Sequence, residues 1–161
     1  MSVDYLRDLA RVSVRAFLAF AKIMPMAQYR MVMPADVLNV ARLCGSRSAD
    51  CGSCVQIAIN TALKEGLPGE VIRTVLERKP DDLPSDLAEV YRLSEAVLAH
   101  DDDAATPFRE SVVARYGQEG IGEVGMALAS SLVFPTMKRT LGYSKSCARV
   151  GLALGGTAAE S

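Results

Sequence analysis

The sequence has 161 residues and a formal net charge of -1, from 18 basic and 19 acidic residues. This length is typical of one domain, and the near-zero charge excludes the broad positive field with which proteins hold nucleic acids. Half of the residues are hydrophobic, tryptophan is absent and aromatic residues make up only 6 %. The core must therefore consist of aliphatic residues that favour helices, which predicts an all-α multi-helix bundle as a single domain over residues 1–161.

Apolar residues recur at helical spacing through most of the chain, and prolines and glycines separate the segments. The pattern predicts an N-terminal helix over about residues 3–24 that is ended by Pro25. A second helix is expected to open at Pro34 and to stop at Gly45. Further helices are predicted over these approximate ranges: 51–65, 69–78, 85–100, 106–117 and 121–141. Thr106 is the expected N-cap of the helix over 106–117, and Pro135 is expected to kink the helix over 121–141. The small-residue tail, about 146–161, is expected to be flexible.

Two cysteines, Cys51 and Cys54, stand three positions apart at the predicted start of a helix, with Asp50 as the expected N-cap. Sulfurs at positions i and i+3 share one helical face and lie close enough to form a disulfide. Unpaired N–H groups and the positive end of the helix dipole stabilise a thiolate there, and the thiolate is the reactive form. The pair is therefore interpreted as a two-electron redox centre.

The same spacing also occurs in half of a zinc site, and cysteines also serve as plain core residues. Zinc would need two more ligands, and the remaining candidates are Cys44, Cys147 and the only histidine, His100. No second Cys-x-x-Cys or His-x-x-x-His motif supplies such a pair, so neither a metal nor a cofactor is expected.

The N-terminal segment mixes acidic and basic residues with apolar ones, unlike a secretory signal or a membrane span. A cytoplasmic protein without a membrane partner is therefore expected. In a reducing compartment, a cysteine pair that does oxidise is more often catalytic or sensing than structural.

Several segments of this sequence resemble the carboxymuconolactone decarboxylase family, in particular its alkyl hydroperoxidase D branch. The resemblance covers a core of about residues 30–145 and rests on these segments: 35–43, 50–58, 62–66, 116–117, 121–134 and 141–142. It implies an all-helical fold that assembles into dimers, trimers or hexamers, with the two cysteines as the redox centre. It further implies a peroxide or disulfide substrate and a dithiol electron donor.

In that branch, a glutamate on the preceding helix and a histidine four residues after the second cysteine form a proton relay. Here the histidine position is Ala58, and the glutamate position falls on Asn39 or, with a longer intervening turn, on Asp36. Asp36 is therefore the candidate proton acceptor, although the family's relay is incomplete. Three further polar residues are candidates for the border of the site: Gln56, Asn60 and Tyr91.

The resemblance implies that Cys54 attacks the substrate and that Cys51 resolves the intermediate, whereas helix position alone favours ionisation of Cys51. The order of attack stays open. The leading hypothesis is a thiol–disulfide oxidoreductase or peroxidase with Cys51, Cys54 and Asp36 as catalytic residues. The alternatives are a lactone decarboxylase and a non-catalytic, redox-sensing oligomer on the same fold.

Overall fold

The computed structural model describes residues 4–143, and this range is all-helical, which confirms the predicted fold class for these residues. A single turn of 3-10 helix (Pro80–Asp82) precedes the seventh α-helix. The predicted tail, about 146–161, lies outside the described residues. The α-helices are, in chain order, α1 (Asp4–Val12), α2 (Val14–Ala21), α3 (Met24–Ala27), α4 (Ala35–Ser48), α5 (Gly52–Lys64), α6 (Gly69–Leu76), α7 (Ser85–Leu98) and α8 (Asp102–Thr140).

The core lies between α4, α7 and α8, which pack against one another, while α5 and α6 pack on α4. Aliphatic side chains fill it, as the composition predicts. Its fully buried members include Val37, Leu38, Leu43, Ile59, Ile72, Val75, Val90, Leu93, Val112 and Val124. The central position of α4 matters for the site, because the cysteine segment follows this helix directly.

A buried carboxylate on α8 holds the segment that leads into α4. Glu123 is only 1 % exposed, and it accepts hydrogen bonds from the backbone N–H groups of Met31 (2.8 Å), Val32 (2.9 Å) and Met33 (3.0 Å). Burial opposes ionisation, but these three bonds outweigh it and hold the pKa of Glu123 below its ordinary value. The carboxylate thus fixes the start of α4 against α8.

The prediction of one continuous N-terminal helix over residues 3–24 is wrong, because three separate helices, α1, α2 and α3, cover this range. Ser13 has extended backbone angles (φ -156°, ψ 105°) and separates α1 from α2, and its hydroxyl accepts a hydrogen bond from the N–H of Ala16. Serine side chains compete for backbone groups in this way, which is why they favour helix starts. Pro25 does not end a helix either, because it stands in the first turn of α3.

Gly45 does not stop α4, which continues to Ser48. A Cβ atom at this position would lie 1.9 Å from Ser131 Oγ on α8. The glycine therefore allows the two helices to approach closely, and it has no role in helix termination. Gly66, with φ 92°, does terminate α5 in the expected left-handed conformation.

Helix α8 begins earlier than the predicted helix over residues 106–117 and also contains the predicted helix over residues 121–141. Asp101 is its N-cap and accepts a hydrogen bond from the N–H of Ala104 at 2.9 Å, so Thr106 and Pro107 lie inside α8. Backbone angles inside α8 depart from helical values at Gly117 (φ 73°, ψ -177°), where the predicted helix was expected to end. Pro135, the position of the expected kink, lies inside the following helical stretch.

Within the described residues, α8 is long and apolar enough to cross a membrane by length and hydropathy. The central helix of a soluble protein meets the same criteria. In this fold α8 packs against both α4 and α7, and its side chains Glu123 and Lys138 are buried.

Candidate active site

The two cysteines lie at the start of α5, which begins at Gly52, one residue later than predicted. Cys51 is the N-cap (φ -119°, ψ 95°), so the prediction that Asp50 caps the helix is wrong. Asp50 instead adopts the left-handed conformation (φ 47°) that turns the chain into the helix. The carbonyl of Cys51 accepts hydrogen bonds from the N–H groups of Cys54 and Val55, both at 2.9 Å. The sulfur atoms of Cys51 and Cys54 lie 2.7 Å apart, as expected for neighbours on one helical face.

The two sulfurs differ in accessibility. Cys51 is 3 % exposed, whereas Cys54 is half-buried and lines a cavity of about 460 Å³. Helices α1, α3, α4, α5 and α8 all contribute to the cavity wall. Its apolar part includes Leu6, Met24, Ile57, Ala58 and Phe134. A small molecule in this cavity therefore meets Cys54 first, with Cys51 behind it.

A buried lysine lies beside the cysteine pair. Lys138 on α8 is 4 % exposed, and its ammonium group donates a hydrogen bond to Ser53 Oγ at 2.7 Å. Ser53 Oγ in turn lies 3.6 Å from Cys51 Sγ. A positive charge close to a thiol favours the thiolate, so α8 adds to the electrostatic effect of the helix start.

The next residue of α8 holds the backbone of the cysteine segment. The guanidinium of Arg139 donates hydrogen bonds to the carbonyl oxygens of Ala49 (2.6 Å) and Asp50 (3.1 Å). These carbonyls belong to the turn between α4 and α5. Arg139 thereby anchors the turn from which the helix start and its two sulfurs project.

Tyr5 on α1 brings a hydroxyl group to the same cavity. Burial, together with the neighbouring Cys54 and Cys51, raises the pKa of Tyr5 to about 12. The phenol therefore remains protonated at neutral pH and can act as a hydrogen-bond donor next to an anionic sulfur. Periodicity alone marks Tyr5 only as an apolar position of α1.

A second polar cluster borders the cavity at the opposite end of α5. Arg42 pairs with Glu65 at 3.8 Å and donates a hydrogen bond to the carbonyl of Ala27 at 3.2 Å. Glu65 also accepts a hydrogen bond from Asn39 Nδ2 at 2.8 Å. Since Glu65 follows Cys54 by about three helical turns, this cluster and the sulfurs lie at different ends of the cavity.

The structure does not bring Asp36 to the cysteines. Asp36 stands in the first turn of α4 and accepts a hydrogen bond from the N–H of Val37. The cysteine segment follows the other end of α4, roughly 18 Å away along the helix at 1.5 Å per residue. Asn39, the alternative position for the family's glutamate, contacts Glu65 instead.

The other polar candidates do not line the cavity. Gln56 donates a hydrogen bond to Asn60 along α5, and neither residue lines the cavity. Tyr91 packs under Arg47, whose guanidinium carbon lies 5.4 Å from the ring centroid. Ala58 does line the cavity, so a methyl group faces the cavity at the position where the resemblance places the histidine.

Cys44 is fully buried in the core. Burial, followed by the negative charge of Glu95, raises its pKa above the ordinary value for cysteine, so Cys44 stays a thiol. Within residues 4–143, no group of three or more histidine, cysteine, aspartate or glutamate side chains is arranged to hold a metal ion.

The two cysteines can interconvert between dithiol and disulfide beside a partly open, partly apolar cavity. Sequence reasoning found both cysteines from their spacing but missed Lys138, Arg139 and Tyr5, whose only sequence signal is charge or aromaticity inside apolar helices. No protein-family model matches the chain, and neither the curated proteins nor the solved structures contain a significant match.

Proposed function

We propose that this protein is a thiol–disulfide oxidoreductase of the alkyl hydroperoxidase D type that reduces peroxides through Cys51 and Cys54. One observation carries the proposal: the two sulfurs lie 2.7 Å apart, and Cys54 lines a cavity of about 460 Å³. The resemblance of the cysteine segment and the later helices to that family supports the same activity. A cytoplasmic homo-oligomer, supplied with electrons by a dithiol, completes the proposal.

In the oxidative half-reaction, the Cys54 thiolate attacks one oxygen of the peroxide. The O–O bond breaks, the alkoxide leaves and takes up a proton as the alcohol, and Cys54 becomes a sulfenic acid. The Cys51 sulfur then attacks the Cys54 sulfur, so that an S–S bond forms and the hydroxyl group leaves as water. A dithiol donor restores both thiols by thiol–disulfide exchange and is itself oxidised to a disulfide.

Exposure supports this order of attack, because Cys54 faces the cavity and Cys51 is buried behind it. It agrees with the order implied by the family resemblance. Burial also supports the choice of pair, since Cys44 is fully enclosed in the core.

The test is a peroxidase assay with an organic hydroperoxide and a small dithiol, in a Cys147→Ser background that removes the thiol outside the described residues. We expect turnover in this background, its loss in Cys54→Ser, and a trappable sulfenic acid on Cys54 in Cys51→Ser. Cys44→Ala serves as the matched cysteine control and is expected to retain activity. Turnover that survives the loss of both Cys51 and Cys54 would exclude the proposal.

A reversible disulfide between the pair without any turnover would instead favour the redox-sensing alternative. The lactone decarboxylase alternative has less support, because the only histidine in the sequence, His100, follows the end of α7 and does not line the cavity.

A further inference from the structure

The proton relay of the alkyl hydroperoxidase D branch is incomplete in this chain, and the described residues around the cysteines offer a different set of groups. Ala58 replaces the histidine, and the carboxylate of Asp36 lies at the far end of α4. Beside the sulfurs stand instead the hydroxyl of Ser53 and the ammonium of Lys138. These two residues are 85 positions apart in sequence and meet only because α8 packs against the start of α5.

The chemistry of the two groups fixes the direction of the hydrogen bond between Lys138 and Ser53. An ammonium group has donors only, so in the 2.7 Å contact Lys138 donates and Ser53 Oγ accepts. The hydroxyl of Ser53 can then act as the donor in its contact with Cys51 Sγ. Cys51 Sγ, at 3.6 Å, lies within the longer distance typical of hydrogen bonds to sulfur.

We propose that Lys138, acting through Ser53, holds Cys51 as the thiolate that resolves the sulfenic acid on Cys54, in place of the carboxylate–histidine relay. This inference rests on the proposed peroxidase function and assigns the group that prepares its second nucleophile. Ser53 touches the reacting sulfur directly, whereas Lys138 is a positioning residue that acts through the serine.

The resolution step then balances without an additional reactant. The Cys51 thiolate attacks the Cys54 sulfur, the S–S bond forms, and the S–O bond breaks. The leaving hydroxide takes up a proton from the hydrogen-bonded chain and departs as water. The two electrons passed to the peroxide when Cys54 became a sulfenic acid, and the water released here carries away the second peroxide oxygen.

Low exposure strengthens the effect of a single charge at this position. Lys138 and Cys51 are 4 % and 3 % exposed, and charges interact more strongly away from water. Other charged or titratable groups near the cysteine pair are Cys54, Asp50, Arg139 and Tyr5, from three helices and the turn before α5. Arg139 bonds backbone carbonyls and Tyr5 is protonated at neutral pH, whereas Lys138 reaches the Cys51 sulfur through the hydroxyl of Ser53.

The inference is tested by titrating Cys51 without any peroxide. In a Cys54→Ser/Cys147→Ser background, the thiolate absorbance of Cys51 is followed against pH, with Cys44 remaining a buried thiol. We expect the midpoint to lie below the free-cysteine value of about 8.5 and to rise by about one pH unit in both Lys138→Met and Ser53→Ala. At neutral pH this change reduces the thiolate fraction by up to about tenfold.

Lys64→Met is the matched control, because Lys64 is an exposed lysine in the last turn of α5, and it is expected to leave the midpoint unchanged. Lys138→Arg keeps the positive charge, so we expect the Cys51 midpoint to stay close to its value in the parent protein. Circular dichroism and thermal unfolding of each variant verify that it is folded, and Lys138→Gln replaces Lys138→Met if the latter is not. An unchanged midpoint in both Lys138→Met and Ser53→Ala, or a change in Lys138→Met alone, would overturn the relay.

This readout separates the relay from the proposed function. If both Lys138→Met and Ser53→Ala raise the Cys51 midpoint but the protein shows no peroxide turnover, the result supports the relay and contradicts the peroxidase. If the protein turns over peroxide but neither variant changes the Cys51 midpoint, the result supports the peroxidase and contradicts the relay.

Discussion

Single polar side chains on α8 fix the irregular segments of this protein that matter most for the candidate site. Lys138 and Arg139 bind the serine and the backbone carbonyls of the cysteine segment. Glu123 binds three consecutive N–H groups of the segment that leads into α4. A buried polar group without a partner is costly, so the contacts of the buried Lys138 and Glu123 make one local arrangement much more favourable than its alternatives.

Glu123→Gln tests this role at the residue scale. Glutamine offers one acceptor oxygen in place of two, and its amide group cannot accept from a backbone N–H. We expect the free energy of unfolding near neutral pH to fall by about 3 kcal/mol, measured by urea denaturation. Glu119→Gln, an exposed position one turn earlier in α8, is the control and is expected to change stability by less than about 0.5 kcal/mol.

The same variant has a defined pH dependence. The folded-state pKa of Glu123 is held below its ordinary value of 4.5. The stability that its ionised form provides is therefore present above that pH and is lost as the pH falls through the folded pKa. The difference between wild type and Glu123→Gln should accordingly shrink below about pH 4.5. A difference that stays constant down to the acid transition would contradict this role for the carboxylate.

At the scale of elements, the packing of α4 against α8 depends on the missing side chain of Gly45. A Cβ there would lie 1.9 Å from Ser131 Oγ and 3.1 Å from Ser131 Cβ. The Ser131 hydroxyl is itself committed to the carbonyl of Leu128 at 2.7 Å. Close contact at this crossing brings the cysteine segment, just beyond α4, within reach of Lys138 and Arg139.

Gly45→Ala is therefore expected to destabilise the protein by about 1–3 kcal/mol through overpacking. Gly122→Ala is the matched control, since Gly122 is exposed on α8 and a Cβ there meets nothing within 4 Å. It is expected to stabilise the protein by about 0.5–1 kcal/mol, because alanine is the better helix former. Thermal unfolding of both variants measures these changes in stability. Changes of the same sign in Gly45→Ala and Gly122→Ala would contradict the packing argument.

At the scale of the whole molecule, the cavity is formed by five helices and should select substrates by size and polarity. Its wall combines an apolar part near Cys54 with the Arg42–Glu65 pair at the far end. Its volume of about 460 Å³ is much larger than hydrogen peroxide requires. An organic hydroperoxide with an apolar body fits such a cavity better, because it removes apolar surface from water.

Ala58→Phe tests this selection by filling the cavity beside Cys54. We expect kcat/KM for a bulky organic hydroperoxide to fall about tenfold, equivalent to about 1.4 kcal/mol, while the value for hydrogen peroxide changes by about twofold or less. Asn60→Phe, exposed on the same helix and outside the cavity, is expected to leave both values unchanged. Equal losses for the two substrates in Ala58→Phe would show that the cavity does not discriminate by size.

Self-association is a further property of the whole molecule that the proposal includes. Exposed apolar side chains cluster near the start of α2, where Val12, Val14 and Leu18 are 86 %, 62 % and 56 % exposed. Large exposed apolar side chains in one region are typical of protein interfaces. We expect Leu18→Lys to lower the mass measured by sedimentation, whereas Val97→Lys, at another exposed apolar position, leaves it unchanged. A wild-type protein that sediments as a monomer would contradict the homo-oligomer.

Local signals account for most of the predicted fold. Helical periodicity, Pro34, Gly66 and Gly117 act within a few residues of the chain, and the boundaries that depend on them lie close to their predicted positions. The errors arise where a local signal has two meanings. Gly45 is typical of a helix end, but its position against Ser131 gives it a packing role.

The sequence by itself determined the all-helical class, the approximate positions of α4 to α7 and the presence of two cysteines at the start of one helix. Each of these follows from side chains at most a few positions apart, so chain-local physics is sufficient. Only the tertiary structure decided what surrounds the sulfurs: Lys138 meets Ser53 across 85 positions, and Tyr5 reaches the same cavity from α1. Such contacts depend on how closely α8 and α4 pack, a property of many side chains together that no local spacing encodes.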